Sequence, residues 1–266
     1  MKKKILILLS SVLLMLSCLP TTPPQEQENV APPPLQENNT VVENDTQSEE
    51  PEEPPPPPPA TDTPEPQPQP ERIFEDYFMG SMEDGWEWIR EDERYWSLTE
   101  EPDMLWIYLE PFSFGNTGPK NLLVRPAPKS DFVIETRLVF EPDFNFQFAG
   151  LMIYQDDDNV MQFGRAFCDT PNLCVGNGLY FDNFVNGQIT GKNFALKIAN
   201  PSDVVLRLER NGNEYIAYYW KDGDDWIEVG RQTNNLDPKY VGFVTGQAER
   251  LGLFALFDYF FITTLP

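Results

Sequence analysis

The amino-acid sequence predicts an all-β fold, a two-sheet antiparallel jelly-roll sandwich, for residues 73–266. Short apolar runs rich in Ile, Val, Phe and Tyr recur there and are separated by Gly, Pro, Asn and Asp. No window of ten or more residues shows a helical period. Many short strands with no helices between them are typical of a sandwich or jelly roll.

The segment 148–165 is the predicted centre of this sandwich. Two apolar runs of strand length flank Asp156-Asp157-Asp158-Asn159 there, and Asp and Asn favour turns, so the segment is expected to form a β-hairpin. The strands expected across the domain are residues 72–78, 86–89, 96–99, 104–110, 121–125, 132–140, 148–155, 160–167, 179–185, 204–210, 214–221, 226–232, 240–244 and 251–263.

A second hairpin is predicted over residues 204–221. Asn211-Gly212 is a favoured two-residue turn, because both positions require positive φ, and it would place Leu208 opposite Tyr215. The core face would carry Leu206, Leu208, Tyr215, Ala217 and Tyr219. The other face would carry Val205, Arg207, Glu209, Ile216, Tyr218 and Trp220. A second sheet would cover that face, or it would be an open binding surface. Trp226 is expected in the core.

Residues 1–18 are predicted to be a lipoprotein signal peptide. Three lysines precede an apolar run of 12 residues, too short to span the roughly 30 Å of a bilayer's hydrocarbon. The segment Leu14-Met15-Leu16-Ser17-Cys18 resembles a bacterial lipobox, which makes Cys18 the expected lipidation site and the membrane a partner through the lipid anchor. An ordinary signal peptide is the alternative. The expected location is the cell envelope, and Leu19 favours the outer membrane.

Residues 19–72 are predicted to be a disordered linker. Of the 27 prolines, 17 lie between residues 20 and 72, where large apolar residues are almost absent. Nothing there offsets the entropy of ordering the chain, and Pro runs adopt extended polyproline II. The segment is therefore expected to be a spacer; a ligand for a Pro-recognising domain is the alternative.

Composition excludes several functions. The chain has no His, which removes His-dependent nucleophilic triads and His-based metal sites. Its 43 acidic and 19 basic residues give a net charge of −24, which repels phosphate backbones, so nucleic acid is not an expected partner. Cys168 and Cys174 remain for a disulfide in an oxidising compartment, with reactive thiols as the alternative.

Six segments in order resemble the C-terminal concanavalin A-like domain of family 43 glycoside hydrolases, the β-xylosidase and arabinofuranosidase group. They are Gly85-Trp-Glu-Trp-Ile-Arg-Glu-Asp92, Trp96-Ser-Leu-Thr-Glu100, Asn121-Leu-Leu-Val-Arg-Pro-Ala-Pro128, Ala149-Gly-Leu-Met-Ile-Tyr-Gln-Asp-Asp-Asp-Asn159, Leu206-Arg-Leu-Glu-Arg210 and Phe257-Asp-Tyr-Phe260. The resemblance implies a concanavalin A-like or laminin-G-like sandwich. It also implies that the chemistry of such enzymes resides in a separate propeller domain, for which this sequence offers no room.

Two groups of residues are candidates for ligand binding. A Trp ring can stack on the apolar face of a pyranose while its N–H bonds a hydroxyl, although Trp is more often a core residue. The expected exposed groups are Trp88 with Arg90, and Trp220 with Tyr218 and Arg207.

A structural Ca²⁺ is a further expectation. Glu75 or Asp76 in the first strand and Asp258 in the last would supply oxygen ligands. The acidic turn 156–159 is the other place considered, but it lacks EF-hand spacing and is expected to be a solvated turn. No other cofactor is expected.

The expected function is carbohydrate binding by a surface-tethered, lectin-like lipoprotein that recognises a polysaccharide, of xylan type if the resemblance extends to the ligand. The first alternative is a structural or protein-interaction sandwich, and the second is a cryptic glycoside hydrolase. Catalysis is not expected, because the E-x-D-x-E strand motif of sandwich-fold glucanases is absent: Glu91-Asp92-Glu93 is contiguous.

Overall fold

A computed structural model describes residues 69–112, 118–172, 174–198, 202–221, 225–249 and 252–266. All described residues belong to one compact unit. The predicted signal peptide, Cys18 and all but the last residues of the predicted linker lie outside the described residues. Within the described part, no helix is long and apolar enough to cross a membrane.

The described residues form sixteen strands and one 3₁₀ turn, Glu93–Tyr95, so the predicted all-β class is confirmed. The strands are β1 (Glu71–Asp76), β2 (Glu87–Ile89), β3 (Trp96–Ser97), β4 (Leu105–Tyr108), β5 (Leu122–Pro126), β6 (Phe132–Val139), β7 (Phe148–Asp156), β8 (Asn159–Cys168), β9 (Gly176–Val185), β10 (Gln188–Leu196), β11 (Asp203–Asn211), β12 (Glu214–Lys221), β13 (Asp225–Thr233), β14 (Tyr240–Gly246), β15 (Phe254–Phe257) and β16 (Phe260–Thr264).

The strands build two antiparallel sheets. The seven-stranded sheet has the order β10-β9-β8-β7-β14-β5-β2, which places the predicted central hairpin, β7 and β8, in its middle. The nine-stranded sheet has the order β13-β12-β11-β6-β15-β4-β3; β16 also pairs with β6, and β1 pairs with β16. The expected two-layer sandwich is therefore the observed architecture.

The core lies between the inner faces of the two sheets. Leu151, Phe163 and Phe181 of the seven-stranded sheet share one buried cluster with Leu206 and Phe257 of the nine-stranded sheet. Side chains of a strand alternate between its two faces, so the residues between these belong to the outer faces. Burying the apolar inner faces of both sheets is the main stabilising contribution to the fold.

Three elements differ from the expected strands. Strand β10 was not predicted, because its apolar and polar residues do not alternate regularly and it contains Gly191, which has φ +75° beside a register shift in the pairing with β9. The expected strand 251–263 is divided into β15 and β16, and Asp258 between them donates its backbone N–H to the carbonyl of Arg137. Strand β1 begins at Glu71, two residues before the predicted domain start, where Glu71 pairs with Thr264.

The hairpin of β11 and β12 forms with a register different from the expected one. Asn211 pairs with Glu214, so the two turn residues are Gly212 and Asn213 rather than Asn211 and Gly212. Gly212 has φ +59°, which suits glycine at the first position of a type II′ turn. Leu208 consequently faces Ala217. The shift is an even number of residues, so every side chain stays on the face predicted for it.

Candidate functional site

The outer face of the nine-stranded sheet carries a transverse row of charged and aromatic side chains. Cross-strand pairing places one residue from each of six neighbouring strands in this row, since directly opposed residues share a face. From β13 to β1 the row consists of Glu228, Tyr218, Arg207, Glu135, Phe261 and Glu75.

Arg207 is the centre of this row. Its Nη2 donates to Oε2 of Glu135 at 2.8 Å, and its guanidinium carbon lies 3.8 Å from the centre of the Trp226 ring. The hydroxyl of Tyr259 donates to the other oxygen of Glu135, Oε1, at 3.1 Å. Both carboxylate oxygens of Glu135 are therefore engaged, and they hold the guanidinium over the indole. Burial, with the charge of Glu135 second, raises the pKa of Tyr259 far above its ordinary value, so it stays a donor.

Trp220 and Trp226 lie side by side in the next row. They are directly opposed in the pairing of β12 with β13, and their ring centres are 5.8 Å apart with an interplanar angle of 54°. Trp220 is 44% exposed and Trp226 is half-buried. The expectation that Trp226 lies in the core is wrong: it faces outward because its partner Trp220 does. We call Trp220, Trp226, Tyr218, Arg207 and Glu135 the tryptophan face.

The other predicted ligand residues lie on the other sheet. Trp88 belongs to β2 and is half-buried, stacked on Trp96 with ring centres 4.8 Å apart and packed against the core. Arg90 forms a bidentate pair with Asp157, with both N–O distances 2.8 Å, and donates Nε–H to the carbonyl of Pro119. The structure therefore brings Arg207, Tyr218 and Trp220 together but does not place Trp88 and Arg90 with them.

The structure does not bring Glu75, Asp76 and Asp258 together as a calcium site. Asp76 is 3% exposed, and its two oxygens accept from the backbone N–H groups of Phe78 and Glu83 and from Nε1 of Trp86, at 2.8–2.9 Å. These three donors satisfy the buried carboxylate without a cation.

The remaining two carboxylates of that predicted set have cationic side chains as partners. Glu75 is exposed and pairs with Arg72, and Asp258 pairs with Nη1 of Arg137 at 2.8 Å. Among the described residues, no group of three or more Asp, Glu or Cys side chains is arranged to hold a metal ion.

Cys168 and Cys174 are joined by a disulfide, with their Cα atoms 5.3 Å apart. The bridge closes a short loop after β8 and lies beside the outer face of the seven-stranded sheet, where both cysteines pack against Ala166 and Tyr180.

A family model for the β-xylosidase C-terminal concanavalin A-like domain matches residues 75–258, which is more than half of the chain. The chain belongs to this family. The tryptophan face and both sheets lie almost entirely within the matched residues.

Relatives of this domain occur as part of longer proteins. A xylan 1,3-β-xylosidase from a Vibrio species is 24% identical over 188 residues, which is 63% of this chain and 33% of that protein. A GH43 protein from Bacillus licheniformis superposes with a TM-score of 0.63 at 19% identity, over 72% of this chain and 39% of the other. The chain thus spans about a third of the length of the xylosidase it matches.

Two further structures share the fold. A xylan β-1,4-xylosidase from Bacillus halodurans has a TM-score of 0.59 at 20% identity, covering 77% of this chain and 41% of its own. A functionally unknown protein from Saccharomyces cerevisiae has a TM-score of 0.53 at 17% identity, covering 68% of this chain and 97% of its own. The same sandwich therefore occurs both within xylosidases and as nearly the whole of a solved chain.

The sequence alone did not identify Trp226, Glu135 and Tyr259 as part of the outward-facing cluster around Arg207. The alternation in β6 shows that Glu135 faces away from Ile134 and Leu138, but it does not reveal which strand lies next to β6. Glu135 meets Arg207 because β6 and β11 are neighbours across about seventy residues of sequence. That pairing is a property of the topology, and no local pattern encodes it.

Proposed function

We propose that this domain binds a polysaccharide without cleaving it, and that the tryptophan face is its binding surface. The observation that carries the proposal is the exposed indole of Trp220 beside Trp226, with the guanidinium of Arg207 held against the second ring. Most Trp side chains of a sandwich lie in or against the core, so an outward-facing pair with one exposed ring requires an explanation.

The chemistry of the tryptophan face suits a neutral sugar polymer. Indole rings offer a flat apolar surface for the C–H face of a pyranose, and the N–H groups can donate to hydroxyls. Arg207 fixes the orientation of Trp226, which reduces the entropy lost when a sugar ring stacks on it. Tyr218 lies directly opposite Arg207 on the same face and carries a further hydroxyl.

Family membership supports a xylan-type ligand. The xylosidases from Vibrio and Bacillus halodurans act on xylan by name and carry this domain, although each is a much longer protein. A domain of this kind beside a catalytic unit, or on a tether, would hold the polymer close.

We propose binding rather than catalysis because both carboxylate oxygens of Glu135 are already hydrogen-bonded within the protein. This carboxylate of the tryptophan face is held by Arg207 and Tyr259, whereas a glycosidase needs two carboxylates placed on either side of the scissile bond.

The proposal includes a location at the surface of the cell envelope. Acyl chains on Cys18 would anchor the protein, and two or three chains bury enough methylenes for stable attachment. Residues 19–72 would then act as the spacer. Incorporation of labelled palmitate that is lost in Cys18→Ser would support the anchor; release of both proteins from membranes by salt alone would contradict it.

Retention of the full-length chain on insoluble xylan, and its retardation in gels containing soluble xylan, test the binding. Trp220→Ala should weaken binding about ten-fold or more, as the loss of a central aromatic contact does. Trp106→Ala is the matched control, since Trp106 packs against Phe254 towards the other end of the same sheet.

Three results would count against the proposal. Failure of the wild-type chain to bind any neutral polysaccharide would exclude it. Loss of binding in Trp106→Ala but not in Trp220→Ala would exclude this face. Release of reducing sugar from xylan by the purified chain, absent in Glu135→Gln, would favour a hydrolase instead.

A further inference from the structure

A cavity of about 770 Å³ lies on the outer face of the seven-stranded sheet, away from the tryptophan face. Its floor includes Phe148 of β7, Gln162 of β8 and Asp182 of β9. The loop after β4 contributes Phe112 to the walls, and the disulfide loop contributes Cys168. The volume is within the roughly 300–1,000 Å³ of small-molecule sites.

Two paired glycines leave a depression in the middle of this outer face, because they contribute no side chains. Gly150 of β7 lies opposite Gly164 of β8, between the positions of Gln162 and Ala166. A Cβ on Gly150 would lie 2.2 Å from the carbonyl oxygen of Phe163, and a Cβ on Gly164 would lie 2.1 Å from that of Ala149. The backbones of β7 and β8 can therefore lie this close together only with glycine at both positions. No side chain projects from the outer face there.

Gln162 supplies an acceptor without a partner. The side chain is 5% exposed; its Nε2 donates to Oδ2 of Asp182 at 3.0 Å, but its Oε1 receives no hydrogen bond. An unsatisfied buried acceptor destabilises the folded protein, so a ligand that donates to it would recover that free energy. Burial also raises the pKa of the neighbouring Asp182 carboxyl.

Two other polar groups of the cavity already have partners. Tyr180 uses its hydroxyl to donate to the carbonyl of Gly176 at 2.7 Å and to accept from the N–H of Val175. Oε1 of Gln147 accepts from the N–H groups of Asp143 and Phe144. Among the described residues that line the cavity, Oε1 of Gln162 is the fully buried side-chain acceptor that lacks a partner.

The composition of the lining decides the class of ligand. None of the described residues that line the cavity carries a positive charge, so phosphates, sulfates and carboxylates have no counter-charge there. A sugar ring would bury several hydroxyls and find few partners, which is costly. A ring with one hydroxyl pairs that hydroxyl with Gln162 and places its apolar surface against the phenylalanines.

We infer that the cavity binds a small uncharged aromatic ring carrying a hydroxyl, the chemistry of a neutral phenol, with the hydroxyl donating to Oε1 of Gln162. This site is independent of the proposed polysaccharide binding, since it lies on the other sheet. A domain that recognises both would hold two chemically different components of one surface.

Calorimetric titration of the full chain with 4-propylphenol and with its methyl ether tests the inference. The two probes have the same ring and chain, but only the phenol can donate a hydrogen bond. We expect the phenol to bind at least about ten-fold more tightly, a difference of about 1.4 kcal/mol. The anion 4-propylbenzoate should bind more weakly than the phenol.

Variants place the binding in the cavity. Gln162→Leu should remove the difference between phenol and ether, and Ala166→Phe should fill the space and abolish both. If these two variants fail to fold, Ile189→Asp replaces them, because Ile189 is 62% exposed at the rim of the cavity and can be changed without disturbing the core. The carboxylate introduced there should weaken the binding of both probes. Trp220→Ala should leave phenol binding unchanged while xylan binding falls, which separates this site from the proposed function.

Three outcomes would overturn the inference. The first is the absence of binding by 4-propylphenol, and the second is equal affinity for phenol and ether in the wild-type chain. The third is binding of xylotriose, lost in Ala166→Phe or Ile189→Asp, in the absence of phenol binding; this would assign the cavity to a sugar.

Discussion

The outer faces of the two sheets differ in what covers them. On the nine-stranded sheet, β11 alternates between buried and part-exposed residues, and its outward side chains are charged or open to solvent. On the seven-stranded sheet, β7 is buried at seven consecutive positions, because loops that carry Phe112 and the Cys168–Cys174 bridge lie over its outer face. The same antiparallel pairing thus produces an open face and a roofed one.

This difference explains the sequence patterns of the strands. A strand with one covered face alternates apolar and polar residues, whereas a strand covered on both faces is an almost continuous apolar run. The alternation in β11 therefore marks a surface available to a large, extended ligand. The continuous apolar run in β7 marks a second, smaller core, in which only a small ligand could fit.

The largest effect that separates the two faces should come from a pair of Tyr→Ala variants. Tyr154 on the roofed face is 7% exposed, packs beside Tyr240 and donates to Asp157, whereas Tyr218 on the open face is half-buried. We expect Tyr154→Ala to lower the free energy of unfolding by about 3–5 kcal/mol and Tyr218→Ala by about 1 kcal/mol. Urea denaturation measures both, and equal losses would show that the faces do not differ in coverage.

Removal of the disulfide should have the next largest effect. The Cys168→Ala/Cys174→Ala double variant loses the constraint on a short loop in the unfolded chain, which corresponds to about 2 kcal/mol. Thermal unfolding with and without a reductant measures the change. Reduction should destabilise the wild-type chain by the same amount and leave the double variant unaffected; a shift in the double variant would point to another cause.

The pH dependence of stability should differ in sign between the faces. On the roofed face, burial raises the pKa of Asp182 above its usual 3.8, so the folded state holds its proton more tightly than the unfolded chain. The contribution of Asp182 to stability is therefore greatest at low pH and falls as the pH rises from about 4 through the folded-state pKa.

Asp182→Asn removes this titration while keeping an acceptor for Gln162. The variant should gain stability relative to the wild-type chain as the pH is raised from 4 to 7. Melting temperatures across that range measure the trend, and a constant difference between the two proteins would contradict it.

The smallest effect should come from Glu228 on the open face. The hydrogen bond from Arg231 lowers the pKa of Glu228, so its contribution to stability is present above the usual value and lost as the pH falls through the folded-state value. Both groups are exposed, so Glu228→Gln should cost no more than about 0.5 kcal/mol at pH 7, and less as the pH falls below the usual value of a Glu carboxyl. A loss that grows towards low pH would give the wrong sign.

The sequence predicted the fold class because the pattern of apolar and polar residues in most strands indicates whether one or both of their faces are buried. The Asp-rich turn located the central hairpin, and the apolar runs located all but one of the strands. Strand β10 was missed because its apolar and polar residues do not alternate regularly and its glycine is typical of a loop. The turn at Gly212 was displaced by one residue because Asn-Gly and Gly-Asn are both favoured turn pairs.

The candidate sites were less predictable, since they depend on which strands are neighbours. Arg207, Tyr218 and Trp220 follow from one hairpin and its local register, and they were found. Glu135 reaches them from β6, which only the topology brings alongside. Trp226 lies in β13, the next strand after β12, and was missed because it was expected in the core. The cavity was missed altogether, because it results from paired glycines on two strands and from loops whose positions no period reveals.

The way β1 joins the domain has a mechanical consequence. The described chain enters the sandwich through β1, which pairs with β16 and ends at the buried carboxylate of Asp76. Any tension on the chain ahead of Glu71 reaches the domain first as force on the ladder between β1 and β16. The three hydrogen bonds of Asp76 connect the end of β1 to Phe78, Glu83 and Trp86, and they should hold the Trp86 ring against the core while β1 is under load.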